Sequence, residues 1–212
     1  MPSILCYGDS NTWGSATVSR PDDRYAPEER WPGVLRAKLG DGWLVLEEGL
    51  GGRTTVSDDP VEGREKNGLT YLLPSLGSHK PLDWIAIMLG TNDLKARFHK
   101  SPWEIAAGVA KLIELARQPQ WGRGGKAPAI LVIAPPPFAP VSAKYVELFD
   151  GAVEKSRHLA AELAKVAEAA GARFFDAGSV IRSSTVDGFH LDPDAHVKLG
   201  RAIAAAITGA PS

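Results

Sequence analysis

The chain has 212 residues, 44% of them apolar and 23% charged, and its 24 basic and 25 acidic side chains leave a formal net charge of −1. That is the balance of an ordinary globular protein with room for one sizeable core; residues 1–212 read as a single domain, and the basic footprint of a nucleic-acid binder is missing. The start Met1-Pro-Ser-Ile-Leu has no charged n-region, and the apolar run 84–89 is far below membrane-spanning length, so a cytoplasmic chain without a membrane anchor is expected.

In chain order, the first apolar run is 4–7, and it breaks into Gly8-Asp-Ser-Asn. It contains Cys6, the single cysteine, which reads as a small core residue; no intrachain disulfide or structural zinc cluster can form around it, and no metal is expected. Segment 15–30 is polar and fits no period, after which Trp31, Val34, Leu35 and Leu39 suggest a helix face. A second strand is predicted at 44–48, followed by Gly49-Leu-Gly-Gly-Arg-Thr-Thr. Segment 57–66 is again polar; it and 15–30 read either as solvated surface or as walls of a pocket or subunit contact. Runs 84–89 and 129–134 are apolar without alternation, which suits central parallel strands covered on both faces. Between them Ile105, Val109, Leu112, Ile113 and Ala116 keep the spacing of one buried helix face. Val153, Ala160, Leu163, Ala164 and Ala167 repeat it over a longer helix that ends near Gly171, ahead of a fifth strand at 172–176. Leu199, Ile203, Ala206 and Ile207 form the last stripe. Strands alternating with helices imply right-handed crossovers and a three-layer α/β/α sandwich.

In an open parallel sheet, ligands bind outside the carboxyl ends of the strands. Three of the first four strand ends pair a glycine with a small polar residue: Gly8-Asp-Ser-Asn, Gly49-Leu-Gly-Gly-Arg-Thr-Thr and Gly90-Thr-Asn-Asp. Ser10 is a candidate nucleophile, and a serine hydroxyl needs a base to take its proton. Five histidines compete. His158 falls on a charged helix face, His99 sits among cations, and His79 lies in a polar connector. His190 has Asp187 three residues earlier, placed to accept the imidazole Nδ1–H and leave Nε2 for the serine. His196 follows Asp192 and Asp194, and reads better as a residue of a helix start. The main-chain N–H groups of Ser10 and Gly52, with the side-chain amide of Asn92, are candidate donors to an oxyanion. The plain alternative for Asn92-Asp93 is a helix cap. Asp9 is read as holding the turn that presents Ser10.

Gly8-Asp-Ser10, Gly52, Gly90-Thr-Asn92-Asp and Asp187-Gly-Phe-His190 resemble, in order and approximate spacing, the four blocks of the SGNH (GDSL-type) hydrolase family over nearly the whole chain. A closer similarity, to the arylesterase and acyltransferase/perhydrolase branch, lies in Glu47-Glu-Gly-Leu, Arg53-Thr-Thr, Ile87-Met-Leu-Gly-Thr-Asn-Asp, Pro135-Pro-Pro and Phe174-Phe-Asp-Ala-Gly-Ser-Val. The resemblance implies a flavodoxin-like, five-stranded parallel sheet of order 2-1-3-4-5. It assigns Ser10 as nucleophile, His190 as base, Asp187 as its orienting acid, and Ser10, Gly52 and Asn92 as the oxyanion hole. It also implies a homo-oligomer, dimer-based and up to an octamer. Gly51 stands where that branch more often has a serine, and Asn11 and Trp13 where other side chains are common. Asn11, Trp13 and Gly51 are therefore candidate substrate-binding residues, and so are Phe138 and Phe189, which lie near other block ends and with Trp13 offer an apolar wall; the plain alternative for each aromatic is core packing, favoured for Phe138. The expected activity is hydrolysis of short-chain aryl or alkyl esters through an acyl-enzyme, with transfer to alcohols or peroxide, and without a cofactor. A carbohydrate acetylesterase and, from a different class, a non-catalytic flavodoxin-like binding module are the alternatives; the latter lacks any Gly-x-Gly-x-x-Gly or Walker-type loop.

Overall fold

In β1 (Ser3–Gly8) every residue is buried, because successive side chains point to opposite faces and both faces are covered. Ile4 and Cys6 belong to one core, Leu5 and Tyr7 to another. A computed structural model describes residues 1–209 and places β1 beside β2 (Leu44–Gly49) and β3 (Trp84–Met88), with β4 (Ala129–Ala134) and β5 (Arg173–Asp176) beyond. All pairings are parallel, and the order is 2-1-3-4-5. The predicted strand ends are met within one residue.

A one-turn helix, α1 (Ser10–Trp13), follows β1 directly. Helices α2 (Trp31–Leu39) and α6 (Pro193–Thr208) cover one face, burying Trp31, Leu35, Leu199 and Ile203 against Ile4, Cys6 and Met88. Helices α3 (Gly68–His79), α4 (Pro102–Ala116) and α5 (Ala152–Ala169) cover the other, with Leu72, Leu76, Val109, Leu112 and Leu163 against Leu5, Tyr7 and Ile87. The layers are those of the predicted α/β/α sandwich.

Two helices depart from the sequence reading. No helix is predicted at 68–79, a segment that holds Pro74 and Gly77, poor helix formers in a helix interior. It forms because the Asn67 side chain caps it, accepting the Leu69 N–H at 3.0 Å, and because Leu72 and Leu76 are buried. In α5 the buried line is Ala152, Ser156, Leu159, Leu163 and Ala167, rotated from the predicted stripe. Ser156 fits there because its Oγ accepts the Phe138 N–H at 2.9 Å and donates to the Val153 carbonyl at 2.8 Å.

The polar segments 15–30 and 57–66 are tied down. Thr17 donates to Asp192 at 2.5 Å, and Tyr25 is buried against His196. Asp59 is held by Lys95 and by Arg97, the latter at 2.5 Å. Among the described residues, no helix is long and apolar enough to cross a membrane.

Helices α2 and α6 approach closely at Gly200, where an added β-carbon would lie 2.6 Å from Val34 Cβ and 2.7 Å from the Trp31 carbonyl. A main-chain oxygen cannot give way cheaply, so Gly200→Ala is expected to destabilise the fold by about 1–3 kcal/mol. Gly77 in α3 has nothing within 4 Å of such a carbon, and Gly77→Ala should stabilise by up to about 1 kcal/mol. Urea melts of the two variants check the contrast; equal effects would mean that α2 and α6 do not rely on this contact.

Candidate active site

The residues after β1 form a rigid turn. Asp9 caps α1: its side chain accepts the Asn11 N–H at 2.9 Å, and its carbonyl accepts those of Thr12 and Trp13 at 3.0 and 2.9 Å. Ser10 therefore stands at the start of the turn, its Oγ 3.0 Å from His190 Nε2. His190 lies on a second turn built on one carboxylate. Asp187 Oδ1 accepts the N–H groups of Phe189 and His190, both at 3.0 Å, and Oδ2 lies 2.7 Å from His190 Nδ1. A carboxylate only accepts, so Nδ1 carries the proton and Nε2 is left to accept from Ser10 O–H. Asn11 links the two turns by donating to the Phe189 carbonyl at 3.0 Å. Burial would raise the Asp187 carboxyl, but the hydrogen bond to the His190 side chain, the histidine's charge, and the His190 and Phe189 N–H groups overcome it and hold the carboxyl below its ordinary value.

The loop after β2 brings Gly52 in with φ +81°, a conformation that favours glycine. An added β-carbon there would also meet Glu62 Oε2 at 2.4 Å. Asn92, in a short turn after β3, donates through Nδ2 to the Arg53 carbonyl at 3.1 Å and points its other proton toward Asp9 Oδ2 at 3.5 Å. That last contact is too long to hold the proton firmly. Asp93 is not a helix cap: α4 has its own capping box in Ser101 and Glu104. Fully buried, Asp93 accepts the Thr55 N–H at 2.9 Å, its hydroxyl at 2.5 Å and Lys100 Nζ at 2.9 Å, joining the loops after β2 and β3.

The other histidines are elsewhere. His196 is 0% exposed, with its Nδ1 accepting the Trp31 N–H at 3.3 Å and its ring edge-on to Tyr25. Burial pushes it down from its ordinary value to about 3, so it stays neutral. His79 faces Glu48 at 2.7 Å, a partner far away in sequence, and His158 is exposed on α5.

The substrate-binding candidates divide. Phe138 and Phe189, each 7% exposed, pack in an aromatic cluster with Phe149, and Phe189 lies 4.4 Å from the His190 ring. Both rings fill core space, the core-packing alternative and not the open wall, and Phe189 backs the histidine. Asn11 is likewise buried and engaged. Trp13 is half-buried with the Arg24 guanidinium 4.5 Å above its ring, and Gly51 has open space around it. Arg53 and the ion-pair cluster of Asp59, Glu62, Lys95 and Arg97 are absent from the sequence-derived site. Arg53-Thr-Thr was the available signal for the first, and nothing local marks the second.

The profile of the GDSL-like lipase/acylhydrolase family matches residues 6–198. No curated protein matches the chain. Among solved structures, a carbohydrate acetylesterase from Sinorhizobium meliloti is 42% identical with 99% of each chain covered and a TM-score of 0.92. The native aryl esterase of M. smegmatis gives the same identity, coverage and TM-score. A carbohydrate acetylesterase family member from Sinorhizobium meliloti is 38% identical over 98% of this chain and 97% of that one, with a TM-score of 0.91.

Burial raises the Asp9 carboxyl from 3.8 to about 6, against the opposing pull of the Asn11 N–H, His190, Thr91 and Arg53. A carboxyl whose folded value is raised binds its proton more tightly when folded, so ionising it costs stability as pH rises from about 4 to about 7. Asparagine cannot ionise. The stability of Asp9→Asn relative to the wild type should therefore improve by up to about 3 kcal/mol between about pH 4 and about pH 8. Denaturant melts at the two pH values measure this, and a difference that is flat with pH would show an unperturbed carboxyl.

Proposed function

The chain belongs to the GDSL-like lipase/acylhydrolase family and is a serine ester hydrolase, and we propose that Ser10, His190 and Asp187 carry the reaction. The observation behind this reading is the unbroken contact chain from Asp187 Oδ2 through His190 to Ser10 Oγ, at 2.7 and 3.0 Å. His190 Nε2 takes the Ser10 proton as Oγ attacks the ester carbonyl, and Asp187 stabilises the imidazolium so formed. The carbonyl oxygen, now negative, is met by the N–H groups of Ser10 and Gly52 and by the Asn92 amide proton that is held only loosely toward Asp9. His190 then protonates the departing alcohol. Water, deprotonated by the same histidine, attacks the acyl-enzyme, and His190 returns that proton to Ser10 Oγ as the acid leaves. Each step uses side chains and main-chain donors of this chain.

For the substrate we propose short-chain aryl or alkyl esters, with Trp13 as the apolar contact beside the nucleophile turn. Two relatives of equal identity are described as an aryl esterase and a carbohydrate acetylesterase, which keeps acetylated sugars as the second reading. A panel of aryl acetates and acetylated sugars separates them; higher kcat/KM on the sugars would favour the second.

Ser10→Ala is expected to leave the fold intact and lower kcat by roughly 10⁴-fold or more. His190→Ala should do the same, whereas His196→Ala should keep most of the activity per folded molecule while lowering Tm, since its ring fills a buried slot. Activity assays beside thermal melts test this, and the reverse pattern would overturn the histidine assignment.

The acyl-enzyme also partitions between water and other nucleophiles, and we propose measurable transfer to small alcohols or peroxide. Gly51 has nothing within 4 Å of an added β-carbon, so valine fits there and would displace water from the space beside Gly52. Gly51→Val should raise the ratio of transfer to hydrolysis at fixed alcohol concentration, with Tm little changed. An unchanged ratio in a folded, active variant would mean that residue 51 does not control the acceptor.

A further inference from the structure

Arg53 is one of the largest fully buried side chains, 1% exposed, and among the described residues no carboxylate pairs with it. The nearby Glu48 carboxylate is taken by His79. Desolvating a cation costs several kcal/mol unless other groups answer the charge. Here the answer is main chain and aromatic faces. Nη1 donates to the Gly8 carbonyl at 2.8 Å and to the Glu48 carbonyl, and the guanidinium lies between the Tyr7 and Tyr71 rings, 4.2 and 4.8 Å from their centroids. Both rings supply attraction, strongest at the fully buried Tyr7 face, whereas Tyr71 is 39% exposed. Tyr7 is itself fixed, donating its hydroxyl to the Gly68 carbonyl at 2.6 Å.

The Arg53 Nε is buried without a hydrogen-bond partner, whereas its main chain is engaged at both ends. Its N–H donates to the Leu50 carbonyl at 3.1 Å, closing the turn that contains Gly52. Its carbonyl accepts from Asn92 Nδ2 at 3.1 Å. The Gly8 carbonyl that takes the guanidinium also accepts the Leu50 N–H at 3.1 Å, and Gly8 lies two residues before Ser10. One residue thus reaches all three oxyanion donors: Ser10 through Gly8, Gly52 by the peptide bond, and Asn92 by a hydrogen bond.

We propose that Arg53 is the positioning residue of the oxyanion hole, setting the mutual geometry of the three donors without touching the substrate. The inference rests on the reading of Ser10, Gly52 and Asn92 given above. A donor helps only when it is already aimed at the place where charge develops. Arg53 locks two strand ends and the Asn92 amide into one frame, so its removal loosens donors whose chemistry is intact. Both acylation and deacylation pass through an oxyanion, so the loss falls on kcat, and ground-state binding is left nearly unchanged.

The test uses the full chain and Arg53→Met, with p-nitrophenyl acetate as substrate, phenylboronic acid as a probe whose serine adduct places an oxygen in the oxyanion hole, and a fluorophosphonate that labels the nucleophile. Arg53→Met should lower kcat by about 10²-fold, the scale of losing one oxyanion donor, with KM within about threefold. The inhibition constant of phenylboronic acid should rise by a comparable factor, and labelling at Ser10 should still reach one per chain. A folded variant with unchanged kcat and boronic acid affinity, or with its loss confined to KM, overturns the inference. If Arg53→Met does not fold, Tyr71→Leu removes one aromatic face from the cage. It should lower kcat and boronic acid affinity together by about threefold or more, and no change in either overturns the inference. A wild-type chain that is not labelled at Ser10 overturns the reading of the nucleophile, and this inference with it, which keeps the two failures distinct.

Discussion

A parallel sheet delivers every strand's carboxyl end to one rim, and here the rim is level. Gly8 of β1 is paired with Gly49 of β2 and with Met88 of β3, and neighbouring strands lie only about 4.8 Å apart. Ser10, Gly52 and Asn92 follow those three residues by a few positions each, so their convergence is a consequence of register before any side chain is considered. The connection after β1 leaves toward the face covered by α2, and the one after β3 toward the face covered by α4. The chain thus parts between β1 and β3 and opens a crevice where Ser10 and Asn92 stand. The histidine is the exception. It comes from beyond β5, two strands farther out, and must be returned to the crevice by a connection that the sheet does not position.

That connection and the rim loops are held by buried polar groups. Asp187 spends one oxygen on two main-chain N–H groups and the other on the imidazole it orients. Asn11 closes the remaining gap by binding the Phe189 carbonyl from the nucleophile turn. Asp93 joins the loops after β2 and β3 through Thr55 and Lys100. The aromatic cluster beneath, with Phe189 against His190, supplies the apolar floor on which that turn rests. Because Asn11 and Asp93 bind partners on other loops, those loops cannot shift without stranding a buried partner.

The parts of this arrangement that rest on local chemistry were legible in the sequence. Apolar runs without alternation marked β3 and β4, and glycine beside small polar residues marked the strand ends. The spacing of Asp187 and His190 matched the turn they form. What depends on distant partners was hidden. The α3 helix is interrupted by Pro74 and Gly77 and is supported by capping and burial, which a periodicity count does not register. Phe138 and Phe189 read as candidate walls because an aromatic near a strand end looks the same whether it faces outward or inward. Asp93 resembled a cap until Thr55, 38 residues away, was seen to occupy its oxygens. Arginine at 53 gave no sign of burial, since arginine is usually solvated; its acceptors are carbonyls, which every residue has.

Two carboxyl groups border the proposed oxyanion donors, and the fold moves their proton affinities in opposite directions. A bare negative charge beside Gly52 or Asn92 would oppose the charge that develops in the transition state. Asp9, next to Asn92, is cut off from water, and burial raises its carboxyl to about 6, so its ionised form is carried at a cost in stability. Glu62 Oε2 lies 2.4 Å from where a β-carbon on Gly52 would sit. Burial pushes it up, but the hydrogen bond and charge of Lys95, then Arg97, more than offset this and hold it below its ordinary value. Its charge is therefore present and answered: Oε1 takes Lys95 and also Arg97 at 2.7 Å. The same two cations hold Asp59, so segment 57–66 is fastened by the charges that answer its own beside the proposed oxyanion hole. Loosening that segment would free an uncompensated carboxylate beside the donor, which is a physical reason for a long polar loop to be pinned this firmly.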